Sequence, residues 1–564
     1  MRNFWRLALS ATVTAAALVW AADWPMLSGG PQRNGWAKSE RLIDKSNVSS
    51  LKLLYKFQAQ NVSRGLNSLT SPIINGNLIT YRGFKEMLMF GASSDKVFSV
   101  DADLDMPLWT SNLELRGENS RGQASTSLTC PGGLTAPVVM AGSSSGSMHF
   151  ASEASRTPAA AGITRRHRSP YFPPLDQTLY PLRPTTLSQL AALYAVSSDG
   201  YLHVLNSSTG QDLLPSVKFL PPGARVTSLN IQENIIYATT GGNCDGFRNA
   251  LFALDLLSNE KKVATFVPQG GCFSGMGGTA IGKDGTVYVQ VSYAPGDALG
   301  HPHDTIVALT SKDLRVRGYF TPSEKETDRK LLGAPGITPM VFSSQGKEFV
   351  MAGGRDGRLY LLDSSSLGGS DHCTPLFATD VIAPVDKKYE GYGFRGAFSS
   401  WLDVDNGTRW FYAPIWGPPS KSAKLRRPED MPLDGSIIAF KLAEERGHPV
   451  LQFAWLSRNI ASPAPAVIAN GLLFVLTTGE SPRIAKQNGA PYSVSEFEQM
   501  SMAATLSALD AANGRELYSS GKAVSATASG GGLAVANSRA YFATRGNNVY
   551  CFGIPKGQPQ LSQQ

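Results

Sequence analysis

A chain of 564 residues, 42% apolar and 17% charged, would ordinarily be expected to contain three or four domains. It has 56 glycines and 35 prolines and no long helical period, which argues against a helical protein and for short strands joined by turns. The formal charge of +8 is not interleaved with stacking aromatics, so no nucleic-acid partner is expected.

The first element is a secretory signal over residues 1–22. Arg2 and Arg6 give its positive start, residues 7–19 are apolar or small, and Val19-Trp20-Ala21 fits a cleavage site. The apolar run is shorter than the ~20 residues needed to span a bilayer, and no later segment could span one. A periplasmic or secreted chain follows, with no membrane span after cleavage. Loss of Arg2 and Arg6 lowers the formal charge to about +6; much of the remainder sits in Pro-containing insertions, at residues 165–168 and 421–427.

Residues 51–57, LKLLYKF, are an alternating strand with no partner nearby. After them a motif recurs: an apolar strand end, a turn, then a strand carrying an aromatic. Its clearest copy is Ala508-Leu509-Asp510, the turn Asn513-Gly514, and Tyr518. The third residue of each triplet falls at 101, 206, 255, 310, 363, 441, 510 and 553. The separations are 105, 49, 55, 53, 78, 69 and 43, of which four match a four-stranded blade of roughly 40–55 residues.

The last copy, Cys551-Phe552-Gly553, has no outer strand after it. Residues 51–57 can supply that strand, which closes a ring and removes two exposed sheet edges. The expected fold is therefore all-β: an eight-bladed β-propeller over residues 23–555, or seven-bladed if the weak copy at Ala439 is spurious. Residues 150–188, rich in Gly and Ser and then in Arg, His and Pro, are expected to be a surface insertion, and residues 556–564 a disordered tail.

Five cysteines stand at 130, 244, 272, 373 and 551. Cys244 and Cys272, in loops flanking one blade, are the expected disulfide pair, and Cys551 in an apolar strand is expected to be a buried small hydrophobe. No C-x-x-C-H occurs, so no c-type haem is expected. His301-Pro302-His303-Asp304 is the densest metal-like cluster, but lacks a third spaced histidine.

The repeat resembles that of the pyrroloquinoline quinone (PQQ) propellers, the quinoprotein alcohol dehydrogenase-like superfamily. Supporting phrases are Asp23-Trp24-Pro25 with Arg33-Asn34-Gly35, Thr240-Gly241-Gly242-Asn243, the run from Gly353 to Asp363, and Tyr550-Cys551-Phe552-Gly553. The resemblance implies PQQ and calcium in the central channel, with Asn243 as a cofactor-site and metal-ligating amide. It also implies that Asp328 is the catalytic base and a metal ligand. The bland reading of Asn243 is a left-handed turn residue, and that of Asp328 an exposed loop acid beside Lys325, Arg329 and Lys330.

Two departures weigh on the resemblance. Ser197-Ser198-Asp199-Gly200-Tyr201 lacks the family's metal-binding glutamate, and Asp199-Gly200 reads more simply as a hairpin turn; no two cysteines are adjacent. Asp403 and Asp405 share one side of a strand end and read as solvating acids. Two functions follow. One is a quinoprotein-type oxidoreductase of an alcohol or sugar; the other is a non-catalytic propeller scaffold with a protein partner, like the propeller subunit of the barrel-assembly machine.

Overall fold

The computed structural model describes residues 22–80, 83–113, 127–141, 192–268, 272–292, 304–322, 336–384, 391–421 and 434–555, apart from 484, 487, 489, 530 and 531. The signal segment before residue 22, the 150–188 insertion, the 556–564 tail, Asp328, His301 and His303 lie outside the described residues.

Antiparallel four-stranded sheets follow one another along the chain and form eight blades. Blade 1 spans residues 73–112, blade 2 139–218, blade 3 225–266, blade 4 272–320, blade 5 340–378, blade 6 393–456 and blade 7 467–519. Blade 8 takes three strands from residues 534–553 and its outermost strand, Lys52–Gln58, from near the start. That strand pairs antiparallel with Asn548–Gly553, from Lys52 opposite Gly553 to Gln58 opposite Asn548. The ring is thus closed as its orphan strand implies, with eight blades rather than seven.

Inner strands of successive blades lie against each other: Ala534–Ala536 on Ile73–Thr80, Val139–Met140 on Arg225–Gln232, and the latter on Thr279–Ile281. The outer strands are the wet ones, as the burial of Met106–Asn112 and Lys52–Gln58 shows. The apolar core fills the spaces between blades, where Leu88 and Phe90 of blade 1 share a cluster with Phe542 and Phe552 of blade 8.

The eight repeat positions all fall at or just after the third strand of a blade, one per blade. Their physical role is visible at the seams. At five of the eight positions the carbonyl one residue further on accepts a hydrogen bond from an aromatic of the preceding blade. Tyr55 Oη donates to Ala102 O at 3.0 Å, Trp109 Nε1 to Ser207 O at 2.8 Å, and Tyr237 Oη to Ser311 O at 3.0 Å. Tyr412 Oη and Trp455 Nε1 both reach Ala511 O, at 2.9 and 3.0 Å. Each such bond contributes about 1 kcal/mol net. The turn glycine beneath is needed because a Cβ on Gly210 would stand 2.4 Å from the Trp109 ring, at a φ of +72°.

Candidate functional site: the two mouths of the channel

At one mouth the segment 22–40 runs once round the ring. Ala22 N donates to Asn537 Oδ1 of blade 8 at 2.6 Å, and Trp24 exchanges backbone bonds of 2.9 Å with Ile74 of blade 1. Met140 N of blade 2 donates to Pro25 O, and Asn230 Nδ2 of blade 3 and Ile281 N of blade 4 both donate to Pro31 O. Val341 N of blade 5 then donates to Gln32 O, Ser400 N of blade 6 to Asn34 O, and Ala37 N to Ile468 O of blade 7. Ser538 N, back at blade 8, donates to Glu40 Oε2 at 2.9 Å.

Arg33, 0% exposed, sits inside this loop. Its Nη1 donates to Leu27 O at 2.6 Å, Nη2 to Leu229 O at 2.7 Å and Ser228 Oγ at 3.2 Å, and Nε to Thr279 O at 3.0 Å. No carboxylate among the described residues pairs with it, and burial pushes the guanidinium down to about 9. The Arg33-Asn34-Gly35 phrase therefore builds the plug of the channel.

At the other mouth, four charged side chains from separate blades meet: Arg225 of blade 3, Arg395 of blade 6, Glu480 of blade 7 and Arg545 of blade 8. Arg225 and Arg395 each lie five residues before an inner-strand residue bonded to the 22–40 segment, Asn230 and Ser400. Five extended residues place them about 16 Å along the channel from the plug. Blades 3 and 7 stand opposite in a ring of eight, yet the charge of Glu480 is felt at Arg225.

Local sequence aims Arg395. Gly393 at φ 125° and Gly396 at φ 101° flank it, conformations open to glycine, and the ladder breaks between Gly393–Phe394 and Gly396–Ala397. The guanidinium lies on the Trp416 ring, 3.7 Å from its centroid, while Trp416 Nε1 is anchored to Pro463 O at 2.8 Å. Glu480 is shared unequally. Arg545 Nη2 approaches Oε1 at 2.6 Å, and Arg395 Nη2 stays 3.8 Å from Oε2. Burial, aided by the charges of Arg545 and Arg225 and opposed by Glu480, holds the Arg395 guanidinium below the ordinary arginine range.

Asn243 stands at this same end, in the turn between the second and third strands of blade 3. Its backbone is left-handed (φ 49°), and its Oδ1 accepts the Asn249 N–H at 3.0 Å while its own N–H donates to Asn249 Oδ1 at 2.9 Å. The turn that the bland reading expects is present, with one lone pair of Oδ1 left over. Among the described residues no group of three His, Cys, Asp or Glu could hold a metal ion. Asp199 lies in a hairpin turn closed by Gly200 N to Ser197 O at 2.9 Å, and Asp304 accepts from Arg355 N and Nε.

The cysteine pairing differs from expectation. Cys244 is bonded to Cys130, not to Cys272. The segment before the inner strand of blade 2 lies against the 241–244 turn of blade 3, where Thr129 O also accepts from Arg225 Nη1 at 3.0 Å. Cys551 is fully buried, as expected.

Sequence reasoning missed Arg225, Arg395, Glu480 and Arg545, which are up to 320 residues apart (545 less 225). The signal that could have found two of them is the shared offset: an arginine five residues ahead of the same inner-strand position in two blades.

No family model and no curated protein matches the sequence. Solved structures do. A quinohemoprotein alcohol dehydrogenase from Comamonas testosteroni is 13% identical, with a TM-score of 0.55 over 96% of this chain and 82% of that one. A europium-containing methanol dehydrogenase is 13% identical, with a TM-score of 0.54 over 94% and 98%. BamB from Moraxella catarrhalis is 12% identical, with a TM-score of 0.44 over 90% and 98%. The chain has the eight-bladed fold of the PQQ-type, quinoprotein alcohol dehydrogenase-like propellers.

Proposed function

We propose that the protein is an exported quinoprotein-type oxidoreductase of an alcohol or sugar, with the open mouth of the channel as its cofactor and substrate site. The observation that carries this reading is the asymmetry of the channel. The 22–40 circuit and Arg33 occupy one end, and charged groups from four blades converge at the other. The dehydrogenases with which the chain shares its fold make a quinone the first ligand to test there. Residues 1–22 supply the export signal, and no helix among the described residues is long and apolar enough to cross a membrane.

PQQ is an acidic, planar quinone, and when bound it supplies a hydride acceptor. The donor set among the described residues fits such a group: three guanidiniums against one carboxylate, with the indole of Trp416 beside Arg395. Arg225, Arg395 and Arg545 would hold its acidic groups. Asp328 is the proposed base for the substrate hydroxyl proton.

Calcium does not find its donors among the described residues. Asn243 offers one remaining lone pair, whereas calcium takes six to eight oxygens. No step is assigned to it.

The test is titration of the purified protein with PQQ, with and without calcium, followed by dye-linked oxidation of alcohols and sugars. A spectral shift with turnover that Asp328→Asn abolishes supports the reading. Neither shift nor turnover, from a folded protein, overturns it and leaves the scaffold.

A further inference from the structure

Arg395 has five N–H donors, and none has a hydrogen-bond acceptor among the described residues. Among the described residues its nearest carboxylate oxygen is 3.8 Å away, and its Nη1 is buried as well as unbonded. Arg545 also has a buried Nη1 with no acceptor, while its Nη2 is occupied by Glu480. Side-chain exposure is only 18% for Arg395 and 14% for Arg545. Buried donors ordinarily find acceptors, because leaving them unmet forfeits their hydration.

The charge balance points the same way. Among the described residues Arg225, Arg395 and Arg545 carry +3 against the −1 of Glu480, and that carboxylate is committed to Arg545. Arg395 is also held in place without a ligand, flat on an indole fixed by its own hydrogen bond. A planar, preorganised fork of donors fits a carboxylate or phosphate better than it fits a neutral hydroxyl. None of the four residues falls within the phrases that carry the family resemblance.

We infer that Arg395, flanked by Arg225 and Arg545, is the primary contact of a binding site for a small molecule bearing two or more carboxylate or phosphate groups. This rests on the reading of the open mouth as the ligand site, and not on the identity of the cofactor. Trp416 sets the plane of the guanidinium, and Glu480 positions Arg545. A single oxyanion meets one fork, whereas a second lets the ligand engage opposite sides of the channel.

The test uses the full mature protein, with citrate, inorganic phosphate and PQQ as separate probes. Each is titrated calorimetrically at constant ionic strength, balanced with sodium chloride. Arg395→Gln and Arg225→Gln are compared with Lys52→Gln, which removes an equal charge from the exposed closing strand; circular dichroism confirms folding. Saturable citrate binding, weakened at least tenfold by both arginine variants and unchanged by Lys52→Gln, is the expected result; phosphate should bind more weakly than citrate. If only phosphate binds in an Arg395-dependent way, the site takes a single oxyanion and the inference of a ligand with two or more acidic groups is overturned.

Binding that follows ionic strength alone, or falls equally in Lys52→Gln, overturns the inference. PQQ binding that Arg395→Gln leaves intact upholds the oxidoreductase reading and overturns this one. Arg395-dependent citrate binding with no PQQ binding does the reverse. Should Arg395→Gln fail to fold, Arg225→Gln alone decides.

Discussion

Glu86 gives the sharpest quantitative test of how the ring closes. It lies on Gly83–Ala92 of blade 1, facing Arg539 on Arg539–Thr544 of blade 8 across the closing seam. Arg539 Nη1 reaches Glu86 Oε2 at 3.1 Å, but Nη2 reaches Asp103 Oδ1 at 2.6 Å, so one cation serves two carboxylates. Asp103 is 39% exposed and keeps its hydration; Glu86 is 9% exposed and does not. Burial therefore outweighs Arg539 and pushes the Glu86 carboxyl from 4.5 up to about 7.

The folded carboxyl thus holds its proton to higher pH than the unfolded one. Its contribution to stability is complete below pH 4.5 and is lost as pH rises through 7. The interval of 2.5, at 1.36 kcal/mol each, makes that loss about 3 kcal/mol. Glu86→Gln keeps an acceptor for Arg539 and for Tyr541 Oη, which stands 3.4 Å from Oε1, and never ionises. The variant is expected to match the native protein at pH 4.5 and to exceed it by about 3 kcal/mol at pH 8. Guanidinium denaturation at both pH values, followed by tryptophan fluorescence, reads the difference. A gap independent of pH, or a variant less stable at pH 8, would refute the reasoning.

Other outcomes follow from the same geometry. Gly210→Ala puts a Cβ against Trp109 in left-handed backbone and is expected to cost about 2–4 kcal/mol, measured by denaturant midpoint. Arg33→Met strips Leu27 O of its partner and leaves Leu229 O only the long bond from Ser228 Oγ at 3.4 Å, while Thr279 O keeps Asn230 Nδ2 at 3.0 Å. One orphaned and one weakly bonded buried carbonyl cost about 1–4 kcal/mol, again read by denaturation. Cys244→Ser opens a cross-link over 114 residues and is expected to cost about 2–5 kcal/mol, with dithiothreitol producing the same loss in the native protein but none in the variant. Asn243→Ala removes the acceptor for Asn249 N–H and should loosen the 241–249 turn, seen as faster amide exchange there.

Much of the scaffold was legible because it repeats. Asp101, Asn206 and Asp510 end the third strand of their blades, and the carbonyls after them receive the aromatics of the preceding blade, so spacing reports packing directly. The closing strand was legible by elimination: 51–57 lacked a partner, and 548–553 lacked an outer neighbour. The candidate site was far less so. Arg225, Arg395, Glu480 and Arg545 meet only because blades remote in the chain are neighbours, or opposites, in a ring. The same holds for Cys130, which sequence distance separates from Cys244 and the channel brings to it. The segment 22–40 carries no strand pattern, since its bonds are spread over eight blades rather than along one partner strand.

The central claim is that the mouth of the channel where Arg225, Arg395 and Arg545 converge binds the quinone with which the protein acts. A crystal structure grown with PQQ tests it most directly. The account predicts density for the quinone at that mouth, with an acidic group on Arg395 and the plug of residues 22–40 unchanged. A mouth without the quinone, or PQQ bound elsewhere on the ring, would contradict it.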